Sequence, residues 1–131
     1  MPDLAKLCLL EVAETHVLIE QWLSSAACPD AVLETLLQRF GPGFSMISPT
    51  GARMEQGGFP ALFARLRGAR PGLQIKIDEL TLAHVDARSA TVSYRETQAW
   101  NTGTSERRAT ALFAAGDDAR ITWRHLHETW A

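Results

Sequence analysis

Glu96, Arg108 and His127 are the residues whose types could do chemistry together. A carboxylate beside an imidazole fixes its tautomer and raises its basicity, which prepares a general base. A guanidinium in the same row could bind a carboxylate or stabilise an enolate, because its planar fork suits such anions. His127 would then be the base, Glu96 its orienting partner, and Arg108 or Tyr94 the stabiliser of developing negative charge. The purely structural reading is a row of cross-strand charge pairs, each worth about 0.2–1 kcal/mol. His125 and His127 share a strand face at i, i+2, with Glu96 within reach as a third ligand. No second ligand pair supports them, so no metal is expected.

These residues can meet only if three strands align. Residues 90–99, 105–115 and 120–130 read as strands separated by turns at Asn101-Thr102-Gly103 and at residues 116–119. Short turns between consecutive strands predict an antiparallel meander. A first turn centred on Thr102 and a second spanning 116–119 give three rows. Val92 faces Leu112 and Trp123, Tyr94 faces Thr110 and His125, and Glu96 faces Arg108 and His127. This face is the more aromatic one and is assigned to the interior. A slip of one residue would break every row. Before the meander, Leu73, Ile75 and Ile77 alternate, then the phase shifts to Leu80 and Leu82. That change predicts a β-bulge near Asp78 or Glu79.

The first half is helical. Over residues 4–25, Leu9, Val12, Ala13, His16, Ile19 and Leu23 recur at helical spacing and form one face, with His16 at its centre. Cys28-Pro29 ends that helix. A second helix begins at Pro29 and Asp30, carries Leu33, Leu36, Leu37 and Phe40 as a stripe, and stops at Gly41-Pro42-Gly43. Short strands are expected at 44–48 and 52–55. A third helix starts near Gly58 with Phe59, Leu62, Phe63 and Leu66 buried, and Gly68 suits its C-cap. Arg65, Arg67 and Arg70 gather at its end, as a solvated helix terminus or a basic patch for anions.

The 131 residues make one domain, with 46% hydrophobic and 21% charged residues. A net charge of −2 argues against a non-specific nucleic-acid binder. No apolar run suggests a membrane span, and the N-terminus lacks the pattern of a signal peptide. Cys8 and Cys28 read as reduced thiols of a cytoplasmic protein. The fold class expected is therefore α+β, with three N-terminal helices packed on a curved, bulged antiparallel sheet in the order α-α-β-β-α-β-β-β-β. His16, Met46, Phe59, Phe63, Tyr94, Trp123 and His125 are the candidate lining of an internal pocket. The expected ligand is small and apolar or amphipathic, with one polar or anionic group, and no cofactor is expected.

The stretches Tyr94-Arg95-Glu96-Thr97-Gln98, Arg107-Arg108-Ala109-Thr110-Ala111-Leu112-Phe113 and Trp123-Arg124-His125-Leu126-His127-Glu128-Thr129-Trp130, with the order of elements, resemble the nuclear transport factor 2-like superfamily. They are most similar to its SnoaL-like (polyketide-cyclase-like) and ketosteroid-isomerase-like small bacterial members. The resemblance implies a cone of curved sheet closed by helices, homodimerisation through the sheet, and a range of functions from ligand binding to isomerase, dehydratase or cyclase chemistry. Isomerases of this kind place a carboxylate base on the strand after the second helix, and here 44–48 contains no acid. Their helix-borne tyrosine has no counterpart either, since the first helix contains no Tyr, although His16 could occupy a similar wall. No catalytic residue is carried over from them. A ligand-binding domain without catalysis is the leading expectation. An acid/base enzyme and a structural dimer module are the alternatives.

Overall fold

Asp3 starts the first helix: its carboxylate accepts the Ala5 amide at 3.0 Å, satisfying one of the free donors at the helix N-terminus. The computed structural model describes residues 3–131. Helix α1 spans Leu4–Ser24 and buries Cys8, Val12, Thr15, His16, Trp22 and Leu23. Ala13, expected on that face, is exposed instead. Helix α2 covers Asp30–Leu37, with Pro29 as its N-cap. Strands β1 (Phe40–Ile47) and β2 (Arg53–Glu55) follow, and a 3₁₀ turn leads into α3 (Phe59–Leu66). Four long strands complete the chain: β3 (Gln74–Val85), β4 (Ser89–Trp100), β5 (Gly103–Ala115) and β6 (Ile121–Trp130). No helix among the described residues is long and apolar enough to cross a membrane.

The six strands form one sheet in the order β2-β1-β6-β5-β4-β3. The architecture is the α+β cone expected, with one difference: β1 runs parallel to β6, so the sheet is mixed rather than wholly antiparallel. The same pairing explains why Phe40 leaves the second helix. It pairs with Trp123 in the sheet, and the register shifts between Phe40 and Ser45. Gly41-Pro42-Gly43 is thus a bulge in β1 rather than a helix stop. Such a bulge suits a proline, which cannot donate to a ladder. Gly41 is required there, because a Cβ would lie 2.4 Å from Thr122 Oγ1.

The bulge foreseen in β3 is present. Its register with β4 shifts between Asp78 and Thr81, and Glu79 has φ +51°. Between the helices and the sheet lies an aromatic core. Phe40, Phe44, Phe59, Phe113 and Trp123 form a chain with centroid separations of 4.6–5.8 Å, in tilted or edge geometries that suit their quadrupoles. The indole N–H of buried Trp22 donates to Phe63 O at 2.7 Å, tying α1 to α3. Cys8 and Cys28 are both free and buried.

The segment after α3 is pinned to α1 by backbone bonds from Gly68 N to Trp22 O and from Arg70 N to Leu23 O. Gly68 has φ +67°, and a Cβ on it would sit 2.6 Å from the Ala26 amide nitrogen. Gly51 also has positive φ, +87°, but a Cβ there meets nothing. Gly51→Ala should therefore cost only the backbone term, about 1 kcal/mol, and Gly68→Ala about 3 kcal/mol or more, since it adds a clash with main chain. Denaturant unfolding of both variants measures this, and equal losses would refute the clash.

Candidate functional site

Two local features decide which side chains enter the space beneath the helices. The β4–β5 hairpin turns on only two residues, Asn101 and Thr102, so Trp100 pairs with Gly103 and Glu96 pairs with Arg107. In β6, Leu112 and Phe113 pair with His125 and Trp123, which leaves Arg124 as an extra residue. That bulge reverses the inward–outward alternation, so Leu126 and Glu128 point inward after Trp123 does.

The expected row of Glu96, Arg108 and His127 is consequently not formed. Glu96 is buried on the inner face, while Arg108 and His127 are exposed on the outer one. There they line an open depression with Glu79, Thr110 and Thr129, and Arg108 Nη2 lies 3.3 Å from Glu79 Oε2. His125 is also displaced from the pocket: it pairs with Ser45 on β1, and its Nδ1 is 2.9 Å from Ser45 Oγ. The displacements have two physical causes: the turn shorter by one residue puts Arg108 outside, and the bulge at Arg124 turns His125 and His127 away from the inner face.

The inner face closes a cavity of about 210 Å³. Of the expected lining residues, His16, Met46, Phe59 and Phe63 contribute to it. Tyr94 and Trp123 are buried in the core beside it, with ring centroids 5.5 and 6.2 Å from that of His16. The walls from α1, α3 and β1 are apolar: Ile19, Leu23, Met46, Phe59, Leu62 and Phe63 among others. The opposite end gathers His16, Arg70, Glu96, Gln98, Arg107 and Glu128. Four of these six (Arg70, Gln98, Arg107 and Glu128) were not singled out as pocket residues from the sequence. A signal for two of them exists in the alternation Arg107, Ala109, Ala111, Phe113 and in the step from Leu126 to Glu128.

His16 is the centre of this polar end. Its Nδ1 lies 2.7 Å from Val12 O, and its Nε2 lies 3.1 Å from Glu96 Oε1. A backbone carbonyl and a carboxylate both only accept, so both ring nitrogens donate and the ring is an imidazolium. Burial opposes that charge, but Glu96, by Coulomb attraction and hydrogen bond, raises the His16 pKa above its ordinary 6.5. Burial likewise opposes ionisation of Glu96, yet His16, Arg107 and the donating Gln98 amide hold its carboxyl down at about 2. Arg70 donates to the Gln98 side-chain carbonyl and stacks over Trp100 at 4.0 Å. Arg107 donates to Glu128 at 3.4 Å and lies over the Trp130 ring at 4.9 Å. Burial pushes the Glu128 carboxyl above its ordinary value, against the pull of Arg107. Burial also raises the Tyr94 phenol well above 10, so it keeps its proton.

Chemically, the His16–Glu96 pair is a fixed charge pair and no general base. The imidazolium has no free lone pair, and a carboxylate held near 2 is a weak proton acceptor. Two arginines and His16 face two carboxylates, which leaves one cationic charge uncompensated at the end of an apolar chamber. Among the described residues no group of three or more His, Cys, Asp and Glu is arranged to hold a metal ion.

The pair should register in stability against pH. The raised His16 pKa gives stability that is complete below 6.5 and lost as pH rises through the folded-state value. The lowered Glu96 pKa gives stability complete above 4.5 and lost as pH falls toward about 2. The stability difference between the wild type and His16→Gln should therefore peak between about pH 4.5 and 6.5 and shrink on either side. Urea unfolding across pH 4–9 tests this, and a difference constant over that range would contradict an ionised pair.

Known proteins fit this geometry at the level of fold. An NTF-2-like protein of unknown function from Pseudomonas aeruginosa is 37% identical, superposes with a TM-score of 0.87, and matches over 92% of this chain and 95% of its own. The CaMKII hub homology domain of Chlamydomonas reinhardtii is 15% identical with a TM-score of 0.76, over 99% of each chain. A candidate ketosteroid isomerase from Parabacteroides distasonis is 8% identical with a TM-score of 0.72, over 98% of this chain and 89% of its own. At those identities the last two speak for the fold alone. No family model matches the chain, and no curated protein does. The first relative is similar enough over nearly its whole length to decide the matter, and with the helix-closed cone it shows that this chain belongs to the nuclear transport factor 2-like family.

Proposed function

We propose that this protein binds a small amphipathic molecule inside the cone, with the apolar body against α3 and β1 and an anionic group at the arginine end. The observation that carries this reading is the uncompensated cation among Arg70, Arg107, His16, Glu96 and Glu128 at the end of an apolar cavity. An apolar chamber with a few convergent polar groups is the usual form of a small-molecule site. Its volume of about 210 Å³ lies below the range of drug-sized sites, which favours a ligand the size of an arylacetic or medium-chain acid.

Catalysis of the isomerase, dehydratase or cyclase kind is the second reading. One observation favours it: Glu128 lines the cavity and its carboxyl is shifted upward, as proton-exchanging groups often are. The binding reading is preferred because His16 and Glu96 are already committed to each other.

Self-association through the outer sheet face belongs to the same proposal. Leu112 is 38% exposed there, between Thr91 and His125 in the ladder, and similar folds include hub domains. Sedimentation of wild type as a dimer and of Leu112→Asp as a monomer would support it. A monomeric wild type would overturn it.

For the cavity, isothermal titration with phenylacetate should show binding that phenylacetamide lacks. Arg107→Met should weaken it by roughly 10- to 100-fold, the scale of one lost charge-assisted hydrogen bond. Equal affinity for acid and amide would refute an anion-accepting end.

A further inference from the structure

Glu128 stands where a bound anion has to compete. Its side chain is 6% exposed, comes from β6, and forms part of the cavity wall. It holds Arg107 at 3.4 Å, longer than the usual 2.7–2.9 Å of a charge-assisted bond. Arg107, in the cavity wall, has its Nε buried without a partner; the Tyr94 hydroxyl, also unpartnered, belongs to the outer depression. Buried orphan donors call for an acceptor supplied from elsewhere. The charged and titratable groups around Glu128 on the cavity side are His16 from α1, Glu96 from β4, Arg107 from β5 and Arg70 from the segment after α3; Glu128 also borders the outer depression, where Glu79 from β3, Tyr94 from β4, Arg108 from β5 and its own neighbour His127 stand. The α3 and β1 walls contribute only Phe59, Leu62, Phe63, Leu66, Phe40 and Met46. Glu96 is engaged by His16 and Gln98. Arg107 is thus loosely held by one carboxylate, and a carboxylate arriving in the cavity would share that guanidinium with Glu128. Two carboxylates at one site repel unless one carries a proton.

We propose that the cavity takes up a monocarboxylate together with one proton, which Glu128 holds while Arg107 passes its ion pair to the ligand. This rests on the cavity being the anion-accepting site described above. The balance is simple: one ligand carboxylate and one solvent proton enter, the Glu128 carboxylate becomes a carboxylic acid, and no covalent bond to carbon changes. The new O–H can donate to the ligand, so the device selects a carboxylate able to accept from both Arg107 and Glu128. Burial and the nearby Glu96 already raise the Glu128 carboxyl, which lowers the cost of loading the proton.

Phenylacetate, benzoate and hexanoate are the probes. Their affinity for the wild type should fall about tenfold per pH unit once Glu128 is ionised in the free protein, the slope of one linked proton. Titration in Bis-Tris and in Tris at one pH should give binding enthalpies that differ by the difference between the two buffers' ionisation heats, the signature of one proton taken up. Glu128→Gln keeps the shape without the charge. At pH 8 it should bind at least tenfold more tightly than the wild type, and its affinity should be flat with pH. A wild-type affinity that does not vary with pH overturns the coupling and leaves the cavity's anion site standing. A pH slope that survives in Glu128→Gln also overturns it, because His16 would then carry the proton. No binding of any probe by wild type or folded Glu128→Gln at any pH removes the anion site itself, and the coupling with it.

Discussion

A buried charge pair joins the first helix to the centre of the sheet. His16 and Glu96 are eighty residues apart in sequence, 5% and 3% exposed, and 3.1 Å from each other. Removing both charges from water costs several kcal/mol per ion, and mutual attraction offsets this only when the remaining polar atoms are satisfied. Here they are satisfied in a definite order. Val12 O takes the second imidazole proton, the Gln98 amide takes the second Glu96 oxygen, and Arg70 takes the Gln98 carbonyl. The chain runs from α1 across β4 to the segment after α3, so the helices and the sheet hold one arrangement of polar groups in common.

Such a pair is weak evidence for stability taken alone, since a well-packed apolar replacement is often no less stable. Its consequence here is electrostatic. With Glu96 occupied by His16, it cannot neutralise either arginine fully. Arg107 is left with Glu128 and the Trp130 ring, and Arg70 with Gln98 and the Trp100 ring. Aromatic faces attract a guanidinium without neutralising it. The cationic end is therefore a consequence of how the first pair is satisfied, and burial, with repulsion from Arg107, lowers the Arg70 pKa.

The order of elements was legible from the chain because periodicity and Gly/Pro punctuation act locally. The long first helix, the third helix with Pro60 in its first turn, the β3 bulge and the meander were all readable. His16 was readable as an inward residue for the same reason. What failed was parity. Asn101-Thr102-Gly103 is compatible with two- and three-residue turns, and the two differ by which alternate side chains of β5 face the helices. The bulge at Arg124 does leave a local mark, a shift of the apolar phase from Ile121 and Trp123 to Leu126, of the same kind as the shift at the β3 bulge. Thus Arg107 and Glu128 enter the cavity in place of Arg108 and His127. The small-residue run Ala109, Ala111 with Phe113 was the available cue, since β5 packs those side chains under the helices. The parallel β1–β6 pairing was beyond local reading, because nothing in Gly41-Pro42-Gly43 separates a helix stop from a bulged strand.

Parity also decides which imidazole faces the cavity. On the row expected from sequence, an imidazole with a free nitrogen would have stood beside a carboxylate, which is the arrangement of a general base. In the folded chain the inward imidazole is His16, and both its nitrogens face acceptors. The protonation of His16 is thereby fixed by its two acceptors. Glu128 is the remaining wall group whose proton is free to come and go, and it faces Arg107 rather than a second base. A site with one exchangeable proton and one available guanidinium is suited to accepting an acid as its anion plus a proton.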